Sequence, residues 1–283
     1  MKWFTKYISV YNKEYNLIDR KIISQIHDRI SDMQSANPLV TVSVIGFNEE
    51  KHLVACLWSI SGMICKYSVE IIGIDNASTD KTSQIFKECG VKLYHEERHS
   101  CGYARCCGLS KAKGKYHINI DADTIYPPRY VEIMTSELMK ENVVAVSSLW
   151  SYIPDSQHPK SGLVIYEFCR DAYLFLQSFK RPELSVRGLV FAYNVELAKK
   201  VGIRTDIIRG EDGSLALGLK KYGKIRFIRN RKARAITGYG TMSNDGTFFN
   251  SFKNRIIKRL KEIRKIITSQ SEYKDEAENI IKH

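Results

Sequence analysis

Proline is scarce in this 283-residue chain, at six residues, and glycine is moderate at 17, which excludes a collagenous or low-complexity protein. Long apolar runs are missing. The stretch from Leu39 to Phe47 falls far short of the roughly 20 residues that a membrane-spanning helix needs. The opening MKWFTKYISVYNKEY has no apolar h-region and no small-residue cleavage site, so no secretory signal is expected. The seven cysteines are odd in number and show no CxxC or CxxH spacing. A disulfide framework and a structural zinc site are therefore not expected, and a reducing, cytoplasmic compartment is. No GxGxxG follows the first strand-like segment and no GxxxxGK[ST] occurs, which argues against a dinucleotide fingerprint and a P-loop.

What is present is an ordinary globular composition, 43% hydrophobic and 27% charged, with a formal net charge of +13. Fifteen Lys/Arg and two acids lie between Gly218 and Ile267, so this stretch carries +13 and the rest of the chain sums to zero. Such a pattern fits a nucleic-acid binder, a peripheral protein facing anionic lipid, or a merely solvated basic face.

Residues 1–38 read as a helical extension: Trp3, Tyr7, Tyr11 and Tyr15 recur every four residues and Ile18, Ile22, Ile26 and Ile30 continue the period, a stripe expected to pack on the main domain. Asn37-Pro38 breaks the pattern. From residue 39, β-branched apolar segments (LVTVSVIGF, VEIIGID, VKLYHE, KYHINID, VVAVSS) alternate with helical ones. That order predicts βαβ units and a mostly parallel α/β sheet covered by helices on both faces. Further on, Gly162 to Phe179 reads as helix, LVFAYN as strand and Gly213 to Tyr222 as helix. The predicted organisation is an extension over 1–38, a catalytic domain over 39–235 and a basic helical extension over 236–283. In the last, Ile256, Leu260, Ile263 and Ile267 share one helical face among lysines and arginines, as in a helix lying in an anionic membrane surface. Packing of that face on the catalytic domain is an equal alternative.

Ligands of open α/β sheets bind beyond the carboxyl ends of the strands, and the polar residues gather there. Asp121 and Asp123 follow the strand HINI at i, i+2, which directs two carboxylates to one strand tip. Like charges so close call for a cation, and an oxygen-only donor set suits Mg²⁺ or Mn²⁺ together with phosphate oxygens. Asp75 ends another apolar strand, ahead of the helix cap, where it can accept a hydrogen bond from a base or sugar; Ser78 and Thr79 read as caps. The pair Glu211-Asp212 precedes a helical segment and can either complement its dipole or supply a general base.

Taken in order, TVSVIGFNEEKHL, EIIGIDNASTDKT, GYARCCGLSKAKGKYHINIDADT and RGEDGSLALGLKKYGKI resemble the family 2 glycosyltransferases, over about Val40 to Ile228. The resemblance implies the glycosyltransferase A fold, a nucleotide-sugar donor (by preference a UDP-sugar), a divalent metal (Mn²⁺ or Mg²⁺) and inversion at the anomeric carbon. It implies that Phe47, Asn48 and Glu49 lie by the base and ribose, that Asp75 bonds the base, and that Arg105 lies near the nucleotide, with Cys106 where the family has Asn. It makes Asp121 and Asp123 the metal motif, Asp123 the direct ligand, and Asp212 beside Glu211 the base. Gly188 matches an acceptor-side glycine. A glycan or lipid-linked acceptor and a cytoplasmic enzyme docked on the membrane follow as expectations. A sugar-nucleotide nucleotidyltransferase would want a Gly-rich basic loop after the first strand, which FNEEKHL lacks. A nucleic-acid-binding module draws support from RNRKAR, but acidic strand tips oppose a phosphate backbone.

Overall fold

The computed structural model describes residues 3–154, 160–238 and 279–281. Among them a seven-stranded sheet runs in the order β3-β2-β1-β4-β8-β6-β9. These strands are β1 Val40–Gly46, β2 Val69–Asp75, β3 Lys92–His95, β4 Tyr116–Asp121, β6 Val143–Ser148, β8 Phe191–Asn194 and β9 Lys224–Ile228. Every residue of β1 and β2 is buried, as expected for central parallel strands with helices on both faces. The expected α/β architecture is therefore present, with one departure. Strand β8 is antiparallel to both β4 and β6. Four residues without a crossover helix next to β4 do not announce their direction, and β8 reaches its place through the long excursion that follows β6.

Helices α3 (Leu53–Ser61), α4 (Thr82–Glu88), α5 (Cys101–Lys111) and α6 (Tyr130–Leu138) fill the β-to-β connections. Helix α5 is capped by the Ser100 hydroxyl, which accepts from the Tyr103 amide (3.2 Å). Helix α4 begins at Thr82, later than the expected Thr79, and the Asp80 carboxylate ahead of it accepts from the Thr82 amide (2.9 Å). A small second sheet, β5-β10-β7, joins β5 Thr124–Ile125, β7 Trp150–Tyr152 and β10 Ala235–Thr237. Helices α7 (Lys160–Lys180), α8 (Val195–Val201) and α9 (Glu211–Leu219) complete the C-terminal half. Helix α9 starts two residues earlier than the sequence suggests, so Glu211 and Asp212 lie in its first turn rather than ahead of it.

The N-terminal aromatic stripe is not one helix. It is divided into α1 (Thr5–Ile8), a 3₁₀ turn at Tyr15–Leu17 and α2 (Arg20–Met33). Asn12 has φ 64°, a left-handed conformation that stops a helix, and its side chain meets His52 Nε2 at 2.8 Å. Burial is nevertheless as expected: Tyr7, Tyr11, Tyr15, Ile26 and Ile30 join the same core cluster as β1, β4 and α3. The basic amphipathic pattern at 253–267 lies outside the described residues.

Candidate active site

Strand register sets the site. Gly46 pairs with Asp75 and Ile45 with Asp121, so three parallel strands end level. Because β8 runs the other way, its start, and Gly188–Val190 before it, lie at the same edge. A cavity of about 980 Å³ opens there, lined by Phe47, Glu49, Asn76, His99, Cys101, Asp121 and Asp123. The Phe47 and His99 rings lie 3.9 Å apart between centroids. Asn76 is held by its amide, which donates to the carbonyls of Glu96 (3.0 Å) and Arg98 (2.7 Å). Ile208 and Ile280 border the far side, where Ile207 and Ile280 form an antiparallel bridge and the Ile281 amide donates to Asp206 O (2.8 Å).

Behind this cavity sits a buried ionic cluster. The Arg105 guanidinium, on α5, meets Asp121 (3.1 Å), Glu211 (3.3 Å) and Asp212 (3.2 Å). It is held charged well above its ordinary range by those acids, against the opposing effect of burial. Gly210, at φ 100°, turns the chain so that the first turn of α9 delivers both acids to it. Asn119, two residues before Asp121 on β4, reaches Asp212 Oδ1 at 3.5 Å and accepts from the Tyr193 hydroxyl (3.1 Å). The Asp121 amide donates to the Tyr126 hydroxyl (3.1 Å), which in turn donates to Leu189 O (2.8 Å). A Cβ at Gly188 would overlap both the Arg105 guanidinium and the Asp212 carboxylate, so glycine alone fits there.

One guanidinium among three acids leaves negative charge in excess. Asp212 is pushed up to about 8, first by burial and then by Glu211 and Asp121, with Arg105 opposing. Asp123 is pushed up to about 7 by burial, Asp121 and Glu49. Its Oδ1 accepts from the Thr124 hydroxyl (2.9 Å), and its carbonyl accepts from the Tyr11 hydroxyl (2.8 Å). Asp121 and Asp123 are hard oxygen donors at the cavity wall, and their chemistry fits a divalent cation. Among the described residues no cluster of three His, Cys, Asp or Glu is placed to hold a metal.

The structure brings Phe47, Glu49, Asp121 and Asp123 together at the cavity, with Glu211 and Asp212 behind Arg105. Asn48, Asp75 and Arg105, the other expected nucleotide contacts, have partners within the protein. Asn48 points to the β2–α4 turn, where its Oδ1 accepts from the Thr79 amide (2.8 Å). Asp75 is buried and accepts from the Ser78 amide (3.2 Å) and the Ser83 hydroxyl, and His95 Nδ1 lies 3.3 Å away. Arg105 is buried and meets three carboxylates, one of which, Asp121, lines the cavity. Asn119 was legible by the same i, i+2 rule that picks out Asp121 and Asp123. His99, Cys101, Tyr11 and Ile280 carry no local motif.

The description "Glycosyl transferase family 2" matches residues 41–201. An uncharacterized glycosyltransferase of Methanocaldococcus jannaschii is 27% identical over 185 residues, 62% of each chain. A dolichyl N-acetyl-alpha-D-glucosaminyl phosphate 3-beta-D-2,3-diacetamido-2,3-dideoxy-beta-D-glucuronosyltransferase of Methanococcus voltae is 26% identical over 200 residues, 65% of this chain and 62% of the relative. The matched segments thus span less than two thirds of these relatives. Among solved structures, a mannosyltransferase from Pyrobaculum calidifontis in complex with GDP-Man and Mn²⁺ superposes with a TM-score of 0.58 at 18% identity, covering 87% of this chain and 76% of that one. Residues 1–349 of S. aureus TarS in complex with UDP superpose with a TM-score of 0.56 at 17% identity, covering 70% and 60%. Both likenesses are of fold.

Proposed function

The chain belongs to glycosyl transferase family 2, and we propose that it is an inverting, metal-dependent glycosyltransferase that moves a hexosyl-type sugar from a nucleotide-sugar donor to an acceptor hydroxyl. One observation carries this reading. A cavity walled by Asp121 and Asp123 and a second acid pair, Glu211 and Asp212, lie on either side of one buried guanidinium at the carboxyl edge of the sheet.

In this reading the paired Phe47 and His99 rings pack against one side of the base, with Asn76 and Glu49 close by, and UDP is the favoured nucleotide. Solved relatives of the fold hold UDP and GDP-Man, which agrees with a nucleoside diphosphate in this cavity. Asp123 and Asp121 hold Mn²⁺ or Mg²⁺, which when bound supplies Lewis-acid neutralisation of the departing diphosphate. Asp212 takes the acceptor proton on a carboxylate oxygen. Burial gives it the basicity for that task, since a general base works best with a pKa near the operating pH. Arg105 holds Asp121 and Asp212 at a fixed separation, so the donor and the base meet one anomeric carbon from different sides. Residues 39–235 are the proposed catalytic unit, braced by 1–38, and the described residues 279–281 add to it at the far side of the cavity.

The acceptor is a glycan or a lipid-linked sugar, at the cytoplasmic face of a membrane. The name of the Methanococcus voltae relative, a transferase to a dolichyl-phosphate sugar, supports the lipid-linked form. No helix among the described residues is long and apolar enough to cross a membrane. The test is a panel of nucleotide sugars with Mn²⁺, scored for release of the free nucleotide with and without lipid-linked acceptor. Turnover of none of them, with no nucleotide binding, would overturn the reading.

A further inference from the structure

Helix α7 shows an apolar row on its outward face. The inward row, Leu163, Tyr166, Arg170, Leu174 and Gln177, is buried at the 3,4,4,3 spacing of a helix packed on a core. The opposite row, Ile165, Phe168, Ala172, Leu176 and Phe179, repeats that spacing and stands in solvent, with exposures of 61% for Ile165, 74% for Phe168, 64% for Leu176 and 69% for Phe179. No charged residue interrupts this row, although a solvated helix face ordinarily carries charges. At 1.5 Å per residue the row is about 21 Å long, a continuous apolar strip of the kind that marks an interaction surface.

The charges around the strip have one sign. The two acids of α7, Glu167 and Asp171, are turned away and pair with Arg234. Arg229 stacks over the Phe175 ring (4.3 Å to its centroid) and opens the exposed run Arg229-Asn230-Arg231-Lys232. Lys180, also exposed, closes the C-terminal end of the helix. A strip of aliphatic and phenyl groups bordered by cations is complementary to an anionic bilayer, whose acyl region takes the first and whose head groups take the second.

We propose that α7 docks this protein on an anionic lipid surface, with Ile165, Phe168, Leu176 and Phe179 at the acyl boundary and Lys180, Arg229, Arg231 and Lys232 among the head groups. The placement gives the docking a use. The Ser185 hydroxyl, in the turn after α7, donates to Leu174 O (3.0 Å), and the chain then passes Gly188, against Arg105 and Asp212. The base side of the site therefore lies one loop away from the docked helix. This use rests on the lipid-linked acceptor proposed above; the docking itself does not.

The test is sedimentation of the full chain with phosphatidylglycerol-containing vesicles and with pure phosphatidylcholine vesicles. Wild type is expected to bind the first, weakening with salt, and Phe168→Gln/Phe179→Gln to bind at least tenfold more weakly at an unchanged melting temperature and UDP affinity. In a separate Phe168→Trp variant, the new tryptophan is expected to shift to the blue and to be quenched by brominated lipid. Equal binding by wild type and the double variant, or no lipid quenching at residue 168, overturns the proposal. So does a double variant that melts earlier, which would mean that another part of the chain covers the strip, or one that changes a dimer into a monomer, which would mean that a second copy does. Loss of UDP binding with vesicle binding intact would instead count against the transferase reading alone.

Discussion

Burial first, and then negative charge beyond what Arg105 neutralises, raises both Asp212 and Asp123. Asp212 is pushed up to about 8 by burial, with Glu211 and Asp121 adding and Arg105 opposing. The active carboxylate fraction then rises about tenfold per pH unit below that value, so kcat/KM is expected to climb with pH and level off above about 8. Asp212→Asn keeps donor affinity and loses roughly 10²–10⁴-fold in turnover; a loss below about tenfold would leave only the helix-dipole role. Asp123→Ala is expected to abolish the Mn²⁺ dependence of UDP binding in a titration while the melting temperature of the free protein is kept. Gly188→Ala forces apart Arg105 and Asp212, so it is expected to lower turnover far more than UDP affinity.

Elements differ in how plainly they announce themselves. Strands β1, β2, β4 and β6 are runs of β-branched residues buried on both faces, and their positions were legible to within a residue or two, as were the acids at their tips. Strand β8 was legible as a strand but not as an antiparallel one, since direction depends on the excursion through α7. The strands of the small sheet, two or three residues each, were not seen: so short a run has no period. The burial of Arg105 among three carboxylates was also hidden, because its partners come from β4 and α9, 16 and more than 100 residues away. Strand β4 carries another long-range consequence. His117 is fully buried beside Tyr193, with its ring centroid 5.1 Å away, and burial, then Arg105, push it down to about 3. The unfolded chain protonates this imidazole near pH 6.5. Between there and about 3 the unfolded state holds one more proton, so stability falls as pH falls, by up to about 1.4 kcal/mol per unit. His117→Phe, which keeps a ring against Tyr193, is expected to flatten this part of the urea-measured stability profile relative to wild type.

At the scale of the whole molecule, the surplus positive charge lies within Gly218–Ile267 and the rest of the chain sums to zero, while the strand tips form an acidic edge. In the proposed reading a dianionic diphosphate binds at this acidic edge, and the cation held by Asp121 and Asp123 offsets the charge there. This makes metal removal a global experiment. The core is continuous from Tyr7 and Ile26 through β1 and β4 to Ala235, so the N-terminal extension and the sheet are expected to melt in one transition. A ligand at 100 times its Kd stabilises the folded state by about 2.7 kcal/mol. For a chain near this size each kcal/mol moves Tm by roughly 2–4 °C, so saturating UDP with Mn²⁺ is expected to raise Tm by roughly 5–10 °C. EDTA is expected to remove most of that shift, and Asp123→Ala to show little of it with or without Mn²⁺. An equal shift from UDP in EDTA would mean that the cavity binds the nucleotide through its base and ribose alone, and that Asp121 and Asp123 do not act through a cation.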